Sequence, residues 1–316
     1  MQRSMRGLIA AAAVMVAGMA GGKAVAAGLS TAGESITPAA AMPYYDFHSA
    51  NPKGGFCEQQ TFGRGRLLAE PLNVAFSIPT LILGLIGLIR SKRSAMAFQF
   101  LYGLLASYGF FAALYHATLA NGFYRMQDVA VSMVQSFVII LLVHALYLYR
   151  VKRHGREGNP AYRVIAVLMT LIFTAYPAAV HVAGESSANP WVAWLVFDLL
   201  WILVGALLWL IWRRRTTWPT ASKNPRAFRM VAYAMGSALL AYAGWSLDKF
   251  SCRPVVAMLC LHGFWDLFMG LCFYYLITLS RFLSAHEYGF EPVVERIKIA
   301  GPIRLPFVEW QSRASH

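Results

Sequence analysis

Between Glu70 and Leu283 the chain repeats one pattern, an apolar run of about 20 residues followed by a short polar break. An α-helix rises about 1.5 Å per residue, so each run matches a hydrocarbon core of about 30 Å. A helix in lipid satisfies its own backbone hydrogen bonds, which an open loop or sheet edge cannot do. The spans are expected near Glu70–Ile89, Ala95–Leu119, Gln127–Leu148, Val164–Ala183, Trp191–Trp212, Met230–Leu247 and Val255–Leu279. Composition agrees: 58% of residues are hydrophobic and 13% charged, where soluble domains carry about a quarter charged. The expectation is an all-α integral membrane protein, a seven-transmembrane-helix bundle over residues 70–283. No inverted repeat or Gly/Pro-broken helix pair marks a transporter, and no P-loop, HExxH, CxxC or dinucleotide fingerprint is present.

Orientation follows from two separate signals. Arg3 and Arg6, the short apolar stretch Leu8 to Ala20 and the small-residue site Ala24-Val25-Ala26 read as a signal peptide over residues 1–26. Gly18, Gly21 and Gly22 argue against an uncleaved anchor helix. Residues 27–69, rich in Gly, Ala, Ser and Pro near their start, form an extracytoplasmic lead-in segment. The loop charges agree, because Arg90, Lys92 and Arg93, then Arg150 to Arg163, then Arg213 to Arg229 all fall on alternate sides from loops that hold little beyond Arg125, Lys249 and Arg253. The positive-inside rule places the basic loops and a tail over residues 284–316 in the cytoplasm, in a multi-pass protein of the cell membrane. The net charge of +14 is this bias and calls for no nucleic acid.

Ionisable side chains at membrane depth are costly and mark function by default. His116 lies near the outer end of the second span and Asp128 near the outer start of the third. His262 and Asp266 lie about two turns into the seventh, at i and i+4 and therefore on one helix face. All four can meet in one outer-leaflet cavity. Two ligands at i, i+4 and a third from a neighbouring helix leave a tetrahedral ion one open position, the layout of a catalytic zinc. The same residues can instead be hydrogen-bonded packing.

The segments FCEQQ (56–60) with EPLNVAFS (70–77), YHATL (115–119) with QDVAVSM (127–133), LDKFSC (247–252) and LHGFWDL (261–267) resemble, in order and spacing, the successive motifs of the alkaline ceramidase family. The resemblance implies a seven-helix hydrolase that uses a zinc-bound water to cleave the amide bond of ceramide-like sphingolipids into a long-chain base and a fatty acid. The substrate would come sideways from the bilayer, and no protein partner is implied. His116 and His262 match the family's first two zinc histidines, while Asp266 stands where the third is usual. Two histidines and a carboxylate form an acceptable catalytic zinc set and also admit iron or manganese. Asp128 matches the acidic residue that orients or deprotonates the bound water, with one extra residue in the connection. The family's serine one turn before the first histidine is Ala112 here. Ser132 or Ser246 could stand in for it, and Tyr115, His181 and Trp265 either line the cavity or pack.

The family also holds calcium outside the first span. Glu58 and Glu70 match that site, with Gln60 and Asn73 as further partners; Gly55 replaces one acidic residue. Matching cysteines form a disulfide in the family, which implies a Cys57–Cys252 bond on the oxidising outer face, with Cys260 and Cys272 left reduced. The superfamily includes receptor-like proteins too, so a non-catalytic lipid sensor is the alternative reading, favoured by the hydroxyl missing at Ala112.

Overall fold

The computed structural model describes residues 70–92, 95–118, 121–153, 190–218, 225–250, 261–285, 290–300 and 303–312. The expected signal peptide, lead-in segment and fourth span at 164–183 lie outside them. The described helices are α1 (Pro71–Arg90), α2 (Met96–Thr118), α3 (Asn121–Arg153), α4 (Pro190–Arg213), α5 (Arg229–Phe250), led in by a short 3-10 turn at Pro225–Phe228, and α6 (Leu261–Ala285). Among the described residues five stretches are long and apolar enough to cross a membrane: Pro71–Arg90, Met96–Thr118, Gly122–Tyr149, Arg229–Asp248 and Leu261–Ala285. The helical, membrane-embedded architecture expected from the apolar runs is therefore what is found.

Pro71 opens α1, where its missing N–H costs nothing and its fixed φ suits a helix. The backbone N–H of Glu70 donates to the carbonyl of His116 at 3.0 Å, tying the start of α1 to the end of α2. Between them the two helices touch backbone to backbone. A Cβ on Gly84 would overlap Ala106, and one on Gly109 would overlap Leu81. In lipid, where helices gain little from burying apolar surface, such small-residue seams supply the contact. α6 packs against α1, α2, α3 and α5 and is the central rod.

The chain beyond α6 is a structured element. Strands β1 (Phe290–Ala300) and β2 (Ile303–Ser312) form an antiparallel hairpin, with Val294 opposite Val308 and Ile297 opposite Leu305. Phe307, Val308 and Trp310 are buried against the bundle. The Trp310 indole donates to the carbonyl of Arg281 (3.1 Å), and the Tyr274 hydroxyl to that of Pro306 (3.0 Å). The Arg281 guanidinium lies 4.5 Å over the ring of Phe307. The hairpin explains why α6 runs six residues past the expected end at Leu279: Ser280, Arg281 and Ser284 would be an unfavourable continuation in lipid, but here they are buried under protein.

Candidate functional site

At the end of the bundle opposite the hairpin, α1, α2 and α6 bring a set of polar side chains together. Glu70, Asn73, Ser77, His116 and Asp266 are fully buried and His262 is 7% exposed. Buried polar groups persist where they bond one another, and here the bonds form a continuous relay. Asn73 Nδ2 donates to Glu70 Oε2 at 3.1 Å, and the same oxygen lies 2.5 Å from His116 Nδ1. The opposite ring nitrogen, His116 Nε2, lies 3.1 Å from Asp266 Oδ2. Ser77 Oγ stands 2.7 Å from Asp266 Oδ2 and Tyr108 OH donates to Oδ1 at 3.0 Å. The Thr80 hydroxyl donates to the Asp266 carbonyl at 2.8 Å. The His262 ring meets His116 edge to face with centroids 5.2 Å apart.

Local sequence explains the convergence. Residues 70, 73, 77 and 80 recur at the three- and four-residue spacing of one helix face, which brings the Ser77 hydroxyl to the Asp266 carboxylate and the Thr80 hydroxyl to its backbone carbonyl. On α6 the i, i+4 pair His262 and Asp266 points the same way, and Gly270 one turn on lets Thr80 approach, since a Cβ there would overlap the Thr80 side chain. Tyr108 and His116 are two turns apart on α2.

Three of the expected site residues, His116, His262 and Asp266, are thus brought together. Asp128, half-buried on α3, acts electrostatically on Tyr108 and Tyr115. Tyr115 is buried with its ring 5.0 Å from that of His116. Trp265 faces the other way, onto Tyr242 and Trp245. Ala112 is buried in the core. Among the described residues neither Ser132 nor Ser246 bonds to the cluster; the hydroxyls on the Asp266 carboxylate are those of Ser77 and Tyr108. Glu70 and Asn73 belong to the histidine relay. Glu58, Gln60, Cys57, Cys252 and His181 lie outside the described residues, while Cys272 is a buried free thiol.

The donor set fits a divalent ion. A carboxylate on Nδ1 fixes the imidazole tautomer and its rotation, leaving Nε2 to ligate, the arrangement of histidines that hold zinc. Asp266 Oδ2 is already beside that nitrogen. The side chains are not set as a closed cage, because Asp266 hydrogen bonds directly to His116, and the described residues contain no preformed group of three ligands.

No curated protein matches the chain. A family model described as ceramidase matches residues 51–307, which take in every described helix and most of the hairpin. The buried histidine–carboxylate cluster sits on three of those helices, at one end of an apolar bundle. The chain belongs to the ceramidase family, and is a membrane-embedded hydrolase of the ceramide amide bond.

Proposed function

We propose that the hydrolysis depends on a divalent metal, zinc by its donor set, held by His116 Nε2, His262 and Asp266. The observation that supports this most is the relay Glu70–His116–Asp266, which holds one imidazole between two carboxylates, one on each ring nitrogen, with the ring of His262 beside it. When bound, such an ion polarises the amide carbonyl and lowers the pKa of water to about 7. The rest of the chemistry falls to the protein. Glu70 holds the proton on His116 Nδ1, so the ring cannot rotate or change tautomer. Ser77 and Tyr108 hold the Asp266 carboxylate in one orientation. Asp128 takes a proton from the attacking water and returns it to the amide nitrogen as the C–N bond breaks, so that the products are a fatty acid and a long-chain amine.

The remaining assignments are proposals of the same kind. The chain spans the cell membrane seven times, with its N-terminus outside and its hairpin in the cytoplasm, and Cys57 pairs with Cys252. Glu70 Oε1 is buried without a hydrogen-bond partner among the described residues. It is the atom left for a calcium ion with Glu58, Gln60 and Asn73, because calcium prefers several hard oxygen ligands.

Purified protein incubated with an N-acyl long-chain base, followed by mass spectrometry of the lipids, tests the reaction. Elemental analysis of the same preparation tests the metal. Release of both products with one bound metal per chain is expected. Intact substrate alongside a full complement of metal would leave the sensor reading standing instead.

A further inference from the structure

A second ionisable group within an expected span lies outside the cluster. Asp198 stands on α4, eight residues from its start at Pro190 and so about 12 Å along the helix axis. It is the only charged residue of α4 before Arg213. Its side chain is exposed, beside the exposed apolar side chains of Leu199 and Ile202. A carboxylate on such a surface is costly and is kept where it has something to bind. Among the described residues its one hydrogen bond comes from Tyr242 OH on α5, at 3.2 Å.

The surroundings define what it would bind. Tyr242 lies edge to face with both Trp201 (6.4 Å between centroids) and Trp265 (5.1 Å), and Trp265 in turn meets Trp245 at 6.1 Å. A carboxylate bonded to a phenol that itself packs against two indoles favours an organic cation, which gains both the charge contact and cation–π attraction. A metal ion is a poor fit, because one carboxylate supplies too few oxygens. The position is connected to the chemistry by a single residue: Trp265 touches Tyr242 on one side, and its neighbour Asp266 holds His116 on the other. Tyr242, eight residues from the end of α5 at Phe250, stands as far from its helix end as Asp198 does from the start of antiparallel α4, so the two lie at one level.

We propose that Asp198, with Tyr242 and the indoles of Trp201 and Trp265, binds the protonated amine of the long-chain base after cleavage, holding the product at the seam of α4 and α5 on its way to the bilayer. The identity of the amine rests on the amidase reading above. The uncharged amide substrate carries no cation for Asp198, so the station discriminates product from substrate. Its occupancy makes the long-chain amine a product inhibitor, one that the fatty acid does not mimic.

The test is a binding titration on full-length protein in nanodiscs of zwitterionic lipid, read by tryptophan fluorescence. The probes are a long-chain primary amine and the alcohol of the same chain length. Wild type should bind the amine more tightly by about tenfold, the size of one favourable charge contact. Asp198→Asn should reduce that preference to within about twofold, with alcohol binding unchanged. Tyr242→Phe, which keeps the ring and the charge, should reduce it part of the way and carries the test if Asp198→Asn fails to fold. An amine preference that survives in the variants overturns the proposal, as does equal binding of amine and alcohol by wild type. An equal loss of both ligands in Asp198→Asn also overturns it, since that is what a purely structural tie between α4 and α5 would give. Amide turnover on the same wild-type sample is scored separately. Absent turnover with an intact amine preference sinks the amidase reading alone, and normal turnover with an Asp198-independent preference sinks this inference alone.

Discussion

Glu70 Oε2 lies 2.5 Å from His116 Nδ1, joining two residues 46 apart in sequence at the buried end of α1 and α2. A carboxylate in this position raises the basicity of the imidazole and fixes its orientation, and losing such a partner typically costs 10–100-fold in metal affinity or activity, as a rough range. Glu70→Gln keeps the shape and removes the charge. We expect zinc affinity and lipid turnover to fall together by about that factor, measured by chelator competition beside product release. Unchanged zinc affinity would show that Glu70 acts only on a second ion.

The metal ligands and the proton carrier should separate. His116→Ala, His262→Ala and Asp266→Ala are each expected to empty the site and abolish hydrolysis. Asp128→Asn should keep its metal while turnover drops by about 10²-fold or more. Elemental analysis decides: full occupancy in both histidine variants would make the cluster structural.

Tyr108→Phe and Ser77→Ala each remove a hydroxyl from the buried Asp266 carboxylate. Leaving such an acceptor short of a donor costs about 1–3 kcal/mol. Both variants should therefore unfold at lower temperature in detergent, and the double variant should lose more than the sum if, in each single variant, Asp266 swings toward the hydroxyl that remains. Thermal midpoints of the four proteins test this.

The hairpin should be an integral part of the fold. Phe307→Ala and Trp310→Ala are expected to cost about 3–5 kcal/mol, the usual range for deleting a buried aromatic. Arg281→Met should behave differently. Its Nε and Nη1 have no acceptor among the described residues, and an apolar chain of similar length in such a place is often neutral or stabilising. A large loss of thermal stability in Arg281→Met would mean that the guanidinium is paired after all.

How much of this could be read from sequence depended on range. Apolar runs at helical length located α1, α2, α4 and α5 to within a few residues, because lipid imposes one length on every span. His116, His262 and Asp266 stood out because charged groups at that depth are rare. Ser77 and Tyr108 gave no such signal. A hydroxyl in a span usually returns to its own backbone, and Ser77 Oγ does also lie 2.9 Å from the Asn73 carbonyl. Its partner Asp266 is 189 residues away, a distance no local pattern encodes. Glu70 matches the family's calcium site in sequence; only the packing of α1 on α2 turns it toward His116. The hairpin leaves a trace, since two runs of alternating character flank Gly301-Pro302, but Pro292 and Pro306 weaken it.

The glycine seams give the enzyme one stiff wall. α1 meets α2 backbone to backbone at Gly84 and Gly109, and where it meets α6 the side chains of Phe76 and Thr80 fill the hollows at Gly263 and Gly270, so those helices can neither separate nor slide without breaking contact. The residues that hold the reacting bond all stand on that wall or directly against it. Accommodation of lipids that differ in chain length must then fall to the opposite wall, where α4 rests on α3 and meets α5 only lightly. Substitutions there should alter which chains are accepted while the reaction itself runs unchanged. Substitutions in the seam should do the reverse, so selection can act on diet and on chemistry separately.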